Sequence, residues 1–349
     1  MSDRIRVVVV DDSLVAREML VQILASDPQI EVVGIATNGR EGAAMVERLR
    51  PDLVTMDIHM PEMDGLAATE RIMAYAPTPI LVVSSSVYGE GMGRAFDALT
   101  AGALEVVKKP EARDWADLER IGREIIRSVK VLSRVHVVTH IAGRRGARTP
   151  TGNAGIATRS GARSLVAIGS STGGPSALET VLGGLPAALP ASVVVTQHIA
   201  DGFIPGLVTW LGGSCAMRVK AAEDGEPLEP GTVYLAPTGR NAEVAGERLR
   251  YSTPEPGQLY VPSADTLFES VARSRADTSV GVILTGMGAD GASGLKRMRE
   301  RGAATIAQDE PTSVVWGMPR AAVELEAAGK VLPLGEIAGE IVRLVGGLV

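Results

Sequence analysis

Apolar residues recur along residues 1–134 in a pattern that predicts an α/β domain. Five short apolar runs have the length of buried strands, and the segments between them carry apolar residues at helical spacing. The predicted strands are Ile5–Val10, Ile30–Ala36, Leu53–Met56, Ile80–Val83 and Leu104–Val107. Because strands that alternate with helices usually pair in parallel, we predict one doubly wound domain here.

The same alternation resumes over residues 164–349 and predicts a second, larger α/β domain with a mostly parallel sheet. Its predicted strands are Leu165–Ile168, Ser192–Gln197, Met217–Ala221, Gly281–Thr285, Ala304–Ala307 and Lys330–Leu332. The stretch Val233–Tyr251 does not follow the alternation. Short apolar runs around Gly239-Arg240-Asn241 and Gly246-Glu247 predict an inserted β-hairpin there.

Residues 135–163 separate the two domains and differ from both in composition. No Asp or Glu occurs from Ile125 through Leu178, whereas arginines recur and Gly, Thr, Ala and Pro fill the middle. Such a segment cannot bury enough apolar surface to fold, so we predict a flexible basic linker. Its positive charge either keeps the linker solvated or attracts an acidic partner, and both interpretations stay open.

The composition narrows the class of protein. A chain of 349 residues exceeds the usual size of one hydrophobic core, which agrees with two domains. Its 3% aromatic content and net charge of −6 argue against nucleic-acid binding, and no helix-turn-helix with a basic face is visible. The single cysteine, Cys215, suits a reducing compartment, and no apolar run approaches the length of a membrane span. We therefore expect a cytoplasmic protein without membrane insertion.

Polar residues follow the predicted strands of the first domain. Asp11 and Asp12 follow the first strand, Asp57 the third, Ser84 the fourth and Lys109 the fifth. The carboxyl ends of parallel strands form the ligand crevice of such a sheet, so we expect these side chains in one place. Three carboxylates together favour a hard cation such as Mg²⁺, and the lysine and hydroxyl suit a phosphoryl group carried by a carboxylate.

This set of residues, with Met60-Pro61-Glu62-Met63-Asp64-Gly65 after the third strand, resembles the receiver domain of two-component response regulators. The resemblance implies a flavodoxin-like fold in which Asp57 is the phosphoacceptor. It also implies that Ser84 is the switch hydroxyl and Lys109 the phosphate-pairing lysine. Val106 departs from the pattern, because receivers often carry an aromatic switch residue at that position.

The receiver resemblance also implies a metal site. Asp11 and Asp12 would hold Mg²⁺ beside Asp57, together with the backbone carbonyl of His59. The alternative for any single acid is a structural role, and Asp64 before its glycine is expected to be a helix N-cap.

The start of the second domain carries a candidate nucleophile. After the predicted strand Leu165–Ile168, Gly169-Ser170-Ser171-Thr172-Gly173 has the G-x-S-x-G spacing of a nucleophile elbow centred on Ser171. The pair Gly173-Gly174 then opens a helix near Pro175, whose N-terminal amides favour negative charge. A strand followed by a glycine-rich loop and a helix also cradles phosphates, so the motif alone leaves both interpretations open.

A serine nucleophile needs a base and a carboxylate to orient that base. Of the four histidines only His198 lies in the second domain, and it follows the strand Ser192–Gln197. Asp290 follows a later strand through the glycine-rich loop Gly286-Met287-Gly288-Ala289 and is the best candidate for the third member. A cap for the helix after it is the alternative role of Asp290, and the two roles are compatible. The loop also offers backbone amides for an oxyanion hole.

Segments of the second domain look like the effector domain of the CheB-type chemotaxis protein-glutamate methylesterases. They are Ile168–Gly174, Thr196–His198, Ala222–Gly225, Pro262–Asp265, Gly281–Gly291 and Trp316–Arg320. A receiver and a linker in front complete the architecture of that family. The resemblance implies a catalytic triad of Ser171, His198 and Asp290, with Thr172 close to the histidine and the backbone N–H of Met287 in the oxyanion hole.

The resemblance also implies a function. The protein would be a phosphorylation-activated serine hydrolase that removes methyl esters from glutamyl residues of chemoreceptors, releases methanol and deamidates receptor glutamines. Its implied partners are chemoreceptor cytoplasmic domains and a CheA-type histidine kinase, with Mg²⁺ in the receiver domain and no cofactor in the catalytic domain. Ala289 and Val261 depart from the family pattern, where asparagine and arginine are common.

Two other functions stay open from the sequence. The main alternative is a non-catalytic regulator whose second domain only binds a receptor or another signalling protein. A DNA-binding response regulator is the other, and the acidic net charge and the missing recognition helix disfavour it.

Overall fold

The computed structural model describes residues 4–85, 92–110, 115–135, 137 and 163–346. The chain separates into two compact units, Met1–Thr149 and Pro150–Val349. Almost all of the predicted linker, 135–163, lies outside the described residues, so its boundaries and its flexibility stay predictions. In the described ranges, every helix is too short or too polar to span a lipid bilayer.

The described part of the first unit is a parallel sheet of five strands with five helices. The strands are β1 Ile5–Val10, β2 Ile30–Ala36, β3 Leu53–Met56, β4 Ile80–Ser84 and β5 Glu105–Lys108. The helices are α1 Leu14–Ala25, α2 Gly39–Leu49, α3 Gly65–Tyr75, α4 Met92–Thr100 and α5 Trp115–Leu132. The strand order β2-β1-β3-β4-β5 is that of a flavodoxin-like sheet, which confirms the predicted fold class.

Helices pack on both faces of this sheet, and the sequence of its strands reflects that burial. Val7–Val10 on the interior strand β1 are at most 1% exposed, as expected for a parallel strand that is covered on both sides. Three helices begin at a polar N-cap whose side chain accepts a backbone hydrogen bond, namely Ser13, Asn38 and Asp64. The structure thus confirms the cap expected at Asp64.

The second unit contains a larger parallel sheet and an antiparallel hairpin. Its strands are β6 Leu165–Ser170, β7 Ser192–Gln197, β8 Arg218–Ala221, β9 Thr232–Leu235, β10 Asn241–Ala245, β11 Arg248–Ser252, β12 Ser279–Ile283, β13 Ala304–Gln308 and β14 Lys330–Leu332. Its helices are α6 Gly174–Gly183, α7 Ile204–Ser214, α8 Ala264–Ser274, α9 Ala292–Glu300, α10 Met318–Glu324 and α11 Leu334–Val345. The order β14-β13-β12-β6-β7-β9-β8 places β6 at the centre of the seven-stranded sheet.

One predicted element of this unit needs correction. The irregular stretch Val233–Tyr251 contains the predicted hairpin, but its first residues belong to β9, which pairs in parallel with β7 and β8. The hairpin consists of β10 and β11 alone, with its turn at Gly246-Glu247. The short apolar runs of this stretch follow one another closely, so the sequence analysis grouped β9 with the hairpin, and only its parallel pairing with β7 and β8 separates the two.

One hydrophobic core of the second unit lies on the face of the sheet that carries α8, α9 and the hairpin. Phe268, Leu295 and Met298 are fully buried there. α8 and α9 approach closely because Gly294 has no side chain: a Cβ atom at this position would lie 2.7 Å from the carbonyl oxygen of Asp265. This contact places the start of α8 and the start of α9 side by side, next to the carboxyl end of β12.

Asp265 caps α9 from the neighbouring helix. Its Oδ1 atom accepts a hydrogen bond of 2.7 Å from the backbone N–H of Gly294, whereas the N-cap residue Gly291 has no side chain to do so. Burial raises the pKa of Asp265 from 3.8 to about 6, and the neighbouring carboxylates of Asp290 and Glu269 add to the rise. At neutral pH the Asp265 carboxylate is therefore charged, and the burial of this charge destabilises the folded state.

We expect Asp265→Asn to change the pH dependence of stability. The folded state binds the Asp265 proton more tightly than the unfolded chain, so the wild type loses stability as the pH rises from 3.8 to about 6. The amide removes this loss and keeps an oxygen for Gly294. The free energy of unfolding of the variant should exceed that of wild type by about 1–3 kcal/mol at pH 7.5 and by much less near pH 4.5.

Urea unfolding of the full chain at the two pH values measures this difference. Asp277→Asn is the control, because it removes the same charge from an exposed position. A stability difference for Asp265→Asn that is the same at both pH values contradicts the assignment of a raised pKa to this carboxyl group.

Candidate active site and phosphorylation site

Ser171 lies one residue beyond the end of β6, in the centre of the sheet. Its backbone N–H donates to the carbonyl of Thr285, at 3.0 Å, and the residue is 8% exposed. Gly173, with φ of +74°, makes the turn into α6. Ser171 is not among the non-glycine residues of the described chain that have a positive φ. The left-handed conformation falls on a glycine, so the serine itself is unstrained, unlike the serine of a nucleophile elbow.

His198 lies at the matching position of the next strand. β7 pairs in parallel with β6, and the last bond of this pair runs from the N–H of His198 to the carbonyl of Ser170, at 3.0 Å. The serine and the histidine therefore leave neighbouring strand ends side by side. The imidazole ring also stacks on Tyr260, with ring centroids 4.5 Å apart and the planes inclined by 6°.

Asp290 is in direct contact with the histidine. The distance between His198 Nε2 and Asp290 Oδ2 is 2.8 Å, and the two side chains are 11% and 6% exposed. The other ring nitrogen, Nδ1, is buried and has no hydrogen-bond partner among the described residues. A neutral ring that donates through Nε2 presents its lone pair at Nδ1, which is the nitrogen available as a base.

The start of α8 holds the carboxylate of Asp290. Oδ1 accepts hydrogen bonds from the Ser263 hydroxyl, at 2.8 Å, and from the N–H of Asp265, at 3.1 Å. Oδ2 accepts a bond of 2.7 Å from the N–H of Ala264 in addition to the bond from His198. The carboxylate therefore uses the unpaired amides at a helix N-terminus, where negative charge is favoured.

This arrangement corrects one prediction and explains the charge of the site. The alternative role of Asp290, as the cap of its own following helix, is wrong: the N-cap of α9 is Gly291, and the carboxylate turns to α8 instead. Burial alone would raise the pKa of Asp290, but the hydrogen bonds from His198, Ala264 and Ser263 outweigh it and hold the pKa below 3.8. The carboxyl group of Asp290 is therefore an anion at neutral pH.

The glycine-rich loop after β12 passes directly over the serine. A Cβ atom on Gly286 would lie 2.7 Å from the Cβ of Ser171, so only glycine permits this approach. The loop is also tied to the residue after the serine, because the Thr285 hydroxyl donates to the Thr172 carbonyl at 3.0 Å. Met287 follows in the same loop and is half-buried. The roles of Thr172 and Met287 stay predictions that this geometry favours.

Two residues of this site were missed by the sequence analysis. Ser263 is the N-cap of α8, and a serine immediately before a segment with apolar residues at helical spacing was a usable signal. Tyr260 offered no signal, because an aromatic residue in a loop can be assigned to a neighbour only through tertiary structure. Of the two departures from the family pattern, Val261 follows Tyr260 and is half-buried, and Ala289 is exposed.

The first unit brings its acidic residues together as predicted. Asp11, Asp12 and Asp57 each offer one carboxylate oxygen, and these oxygens lie within 4.8 Å of one another. Lys109 Nζ lies 2.7 Å from Asp11 Oδ2 and 3.0 Å from Asp57 Oδ2. Ser84 is buried at the end of β4, and its carbonyl accepts the N–H of Lys109 at 2.9 Å. Oxygen ligands at this spacing fit a Mg²⁺ ion.

Charges in this cluster are only partly balanced. Burial, together with the carboxylate of Asp11, raises the pKa of Asp57, and the ammonium group of Lys109 opposes the rise. Burial would lower the pKa of Lys109, but the same two carboxylates raise it, so the lysine is a cation. Burial disfavours the ionised form of Asp57, and a bound cation would stabilise that form.

Two further predictions for this unit concern individual positions. The side chain of His59 is exposed, and the predicted role of its carbonyl stays a prediction. Val106 is buried on β5, at 7% exposure, so a valine side chain occupies this position instead of an aromatic ring.

The close approach of α3 to the end of β3 depends on Gly65, because a Cβ atom there would lie 2.0 Å from the carbonyl oxygen of Asp57.

Comparison with known protein families gives a match to each unit. The model described as CheB methylesterase matches residues 166–341, and the model described as response regulator receiver domain matches residues 7–117. The crystal structure of the Thermotoga maritima CheB methylesterase catalytic domain superimposes with a TM-score of 0.50 and 35% identity. The superposition covers 52% of this chain and 99% of the Thermotoga maritima chain.

Relatives that match over nearly their full length have the same pair of activities in their names. A protein of Anaeromyxobacter dehalogenans named protein-glutamate methylesterase/protein-glutamine glutaminase 2 is 45% identical, over 95% of each chain. A protein of Syntrophus aciditrophicus named protein-glutamate methylesterase/protein-glutamine glutaminase 1 is 44% identical, over 98% of this chain and 99% of its own. These matches span both sites described above, and the chain therefore belongs to the CheB methylesterase family, with a response regulator receiver domain ahead of the methylesterase domain.

Proposed function

We propose that the second unit is a serine hydrolase that cleaves methyl esters of glutamyl residues on chemoreceptors and deamidates receptor glutamines. The observation that carries this proposal is the 2.8 Å contact between His198 and Asp290, at the strand end next to Ser171. The names of the relatives, which contain both activities, support the substrate class. The partners proposed are the cytoplasmic domains of methyl-accepting chemoreceptors.

The reaction follows from the roles of three side chains. The Ser171 hydroxyl oxygen attacks the ester carbonyl carbon while Nδ1 of His198 takes its proton. Asp290 stabilises the imidazolium that forms, and backbone amides of the loop at Met287 stabilise the negative charge on the carbonyl oxygen. The imidazolium then gives its proton to the leaving methoxide, and methanol departs. Water attacks the acyl-enzyme by the same route and releases glutamate; with a glutamine substrate, ammonia is the first product.

The receiver unit supports control of this hydrolase by phosphorylation. Asp57 accepts a phosphoryl group on a carboxylate oxygen, from a CheA-type histidine kinase, and Lys109 pairs with the phosphoryl oxygens. Asp11, Asp12 and Asp57 would hold the ion, and Mg²⁺ supplies charge neutralisation during the transfer when bound. Each tenfold rise in activity requires about 1.4 kcal/mol of differential stability between an inactive and an active state.

Ser171→Ala should abolish hydrolysis. Loss of the nucleophile is expected to lower methanol release from methylated receptor membranes by at least about 10⁴-fold, because the remaining site only binds the ester. A fluorophosphonate probe should label the wild type at Ser171 and leave the variant unlabelled. Labelling of neither protein, with normal receptor binding, identifies the second unit as a binding module and overturns the proposal.

Asp290→Asn should make the protein nearly inactive. The amide cannot stabilise the imidazolium, and its NH₂ group favours the wrong tautomer of His198, so we expect kcat to fall by about 10³–10⁴-fold at neutral pH. Asp277→Asn, an exposed change of the same kind, should keep full activity. A variant of Asp290 with kcat within tenfold of wild type contradicts the role assigned to this carboxylate.

Asp57→Asn should prevent phosphorylation and its effect on activity. Wild-type protein incubated with acetyl phosphate and Mg²⁺ is expected to gain one phosphoryl group, seen by intact-mass spectrometry, and to release methanol faster. Removal of Mg²⁺ with EDTA should block the gain in mass, because three carboxylates and one lysine leave the cluster too negative to receive a phosphoryl group. The control Asp97→Asn removes an exposed carboxylate of the same unit. Phosphorylation of the Asp57 variant to the wild-type level contradicts the assignment.

A further inference from the structure

Gln197 connects the two residues to which the proposed reaction assigns the proton transfer. It is the last residue of β7, and it is 2% exposed. Its Nε2 atom donates to the carbonyl oxygen of Ser171, at 2.9 Å, and to the carbonyl oxygen of His198, at 2.8 Å. Its Oε1 atom accepts a hydrogen bond of 2.7 Å from the Ser170 hydroxyl. One amide group therefore holds the backbones of the nucleophile and of the base.

The chemistry of its neighbours determines the orientation of this amide. The carbonyl oxygens of Ser171 and His198 can only accept hydrogen bonds, so the NH₂ end of Gln197 must face them. Both N–H groups are then used, one on each carbonyl. No other side chain of similar size supplies two donors and one acceptor in this geometry, and glutamate would place an oxygen against two oxygens.

The hydrogen bonds of Gln197 lie at the point where the pairing of β6 and β7 ends. The bonds between β6 and β7 stop at the N–H of His198, and the two chains then diverge, one into α6 at Gly174 and the other towards α7 at Ile204. Ser171 and His198 are the first residues of the diverging segments. Thr285 also holds Ser171, and Asp290 also holds His198, but Gln197 bonds directly to both segments.

The adjacent helix is shaped to accept the amide. A Cβ atom on Gly174 would lie 2.1 Å from Oε1 of Gln197, which is far closer than two non-bonded atoms can approach. A glycine at the first position of α6 therefore leaves space for this one side chain. The Ser171 carbonyl also accepts the N–H of Gly174, at 2.7 Å, so the turn and the amide act on the same oxygen.

We propose that Gln197 is a positioning residue that sets the separation of Ser171 and His198 for proton transfer. The inference rests on the proposed triad and adds a residue that touches neither the substrate nor the reacting atoms. A misplacement of about 1 Å between reacting groups can cost about 10²-fold in rate. A purely structural role would instead appear as a loss of stability, with no dependence on the histidine.

The first test is Gln197→Met, which keeps the length of the side chain and removes its hydrogen bonds. We expect kcat for methanol release to fall by about 10–100-fold with KM within about twofold, because substrate contacts are unchanged. The rate of fluorophosphonate labelling should fall in parallel. Tyr234→Phe is the matched control: its buried hydroxyl on β9 also bridges two backbone groups, of Pro227 and Glu229, and its loss should lower stability without lowering kcat.

A second variant disturbs the same contact without removing the amide. Gly174→Ala places a methyl group against Oε1 of Gln197 and should displace the side chain. It is expected to lower kcat by a similar factor to Gln197→Met. This variant decides the question if Gln197→Met does not fold, because normal kcat in folded Gly174→Ala protein overturns the proposal.

A double-mutant comparison separates positioning from general damage. In a His198→Ala background there is no base to position, so adding Gln197→Met should change the residual rate by less than about threefold. An equal loss in both backgrounds, or a raised KM with normal kcat, overturns the proposal. If Ser171→Ala retains activity, the proposed function itself fails. If Ser171→Ala is inactive while Gln197→Met matches wild type, only this inference fails.

Discussion

The anionic carboxylate of Asp290, buried at the start of α8, is the constraint on which the second unit depends. A charge can be buried only if donors surround it. Here they come from the Ser263 hydroxyl, two amides of the helix N-terminus and the His198 ring. This requirement brings the end of β7, the loop after β12 and the start of α8 to one point. The same four contacts stabilise the buried charge and hold the carboxylate against His198, the proposed base.

Both units place their reactive groups at the carboxyl ends of parallel strands, for the same physical reason. The backbone pairing of a sheet ends there, and the next residues turn into helices whose first amides are unpaired. In the first unit this edge collects carboxylates and a lysine. In the second it collects a serine, an imidazole and one carboxylate, and the centre of the sheet, at β6, carries the serine.

Two buried aspartates show opposite shifts, and the difference reflects their chemistry. The pKa of Asp57 is raised by burial and by the nearby Asp11, which leaves a cluster suited to a cation and to a phosphoryl group. The pKa of Asp290 is lowered although it is also buried, because the hydrogen bonds from His198, Ala264 and Ser263 outweigh burial, whereas Lys109 and the N–H of Ile58 do not outweigh burial and Asp11 at Asp57. The first environment suits the phosphoacceptor role proposed for Asp57, and the second suits an anion that orients the proposed base His198. Residue type alone does not distinguish these two environments.

The sequence by itself determined the strands, the two α/β sheets and the residues at their ends, because periodicity, turn glycines and strand-end polar residues are local signals. It placed Ser171, His198, Asp290 and the cluster around Asp57 near the correct edges. It did not separate β9 from the hairpin that follows, because only the pairing of β9 with β7 and β8 distinguishes the two. Tertiary structure alone decided that Asp290 serves α8 rather than α9, that Tyr260 stacks on the imidazole, and that Gln197 connects two diverging chains. Each of these contacts joins residues that are distant in the sequence. A local pattern predicts a helix or a strand, but it does not predict which distant residue a side chain will contact.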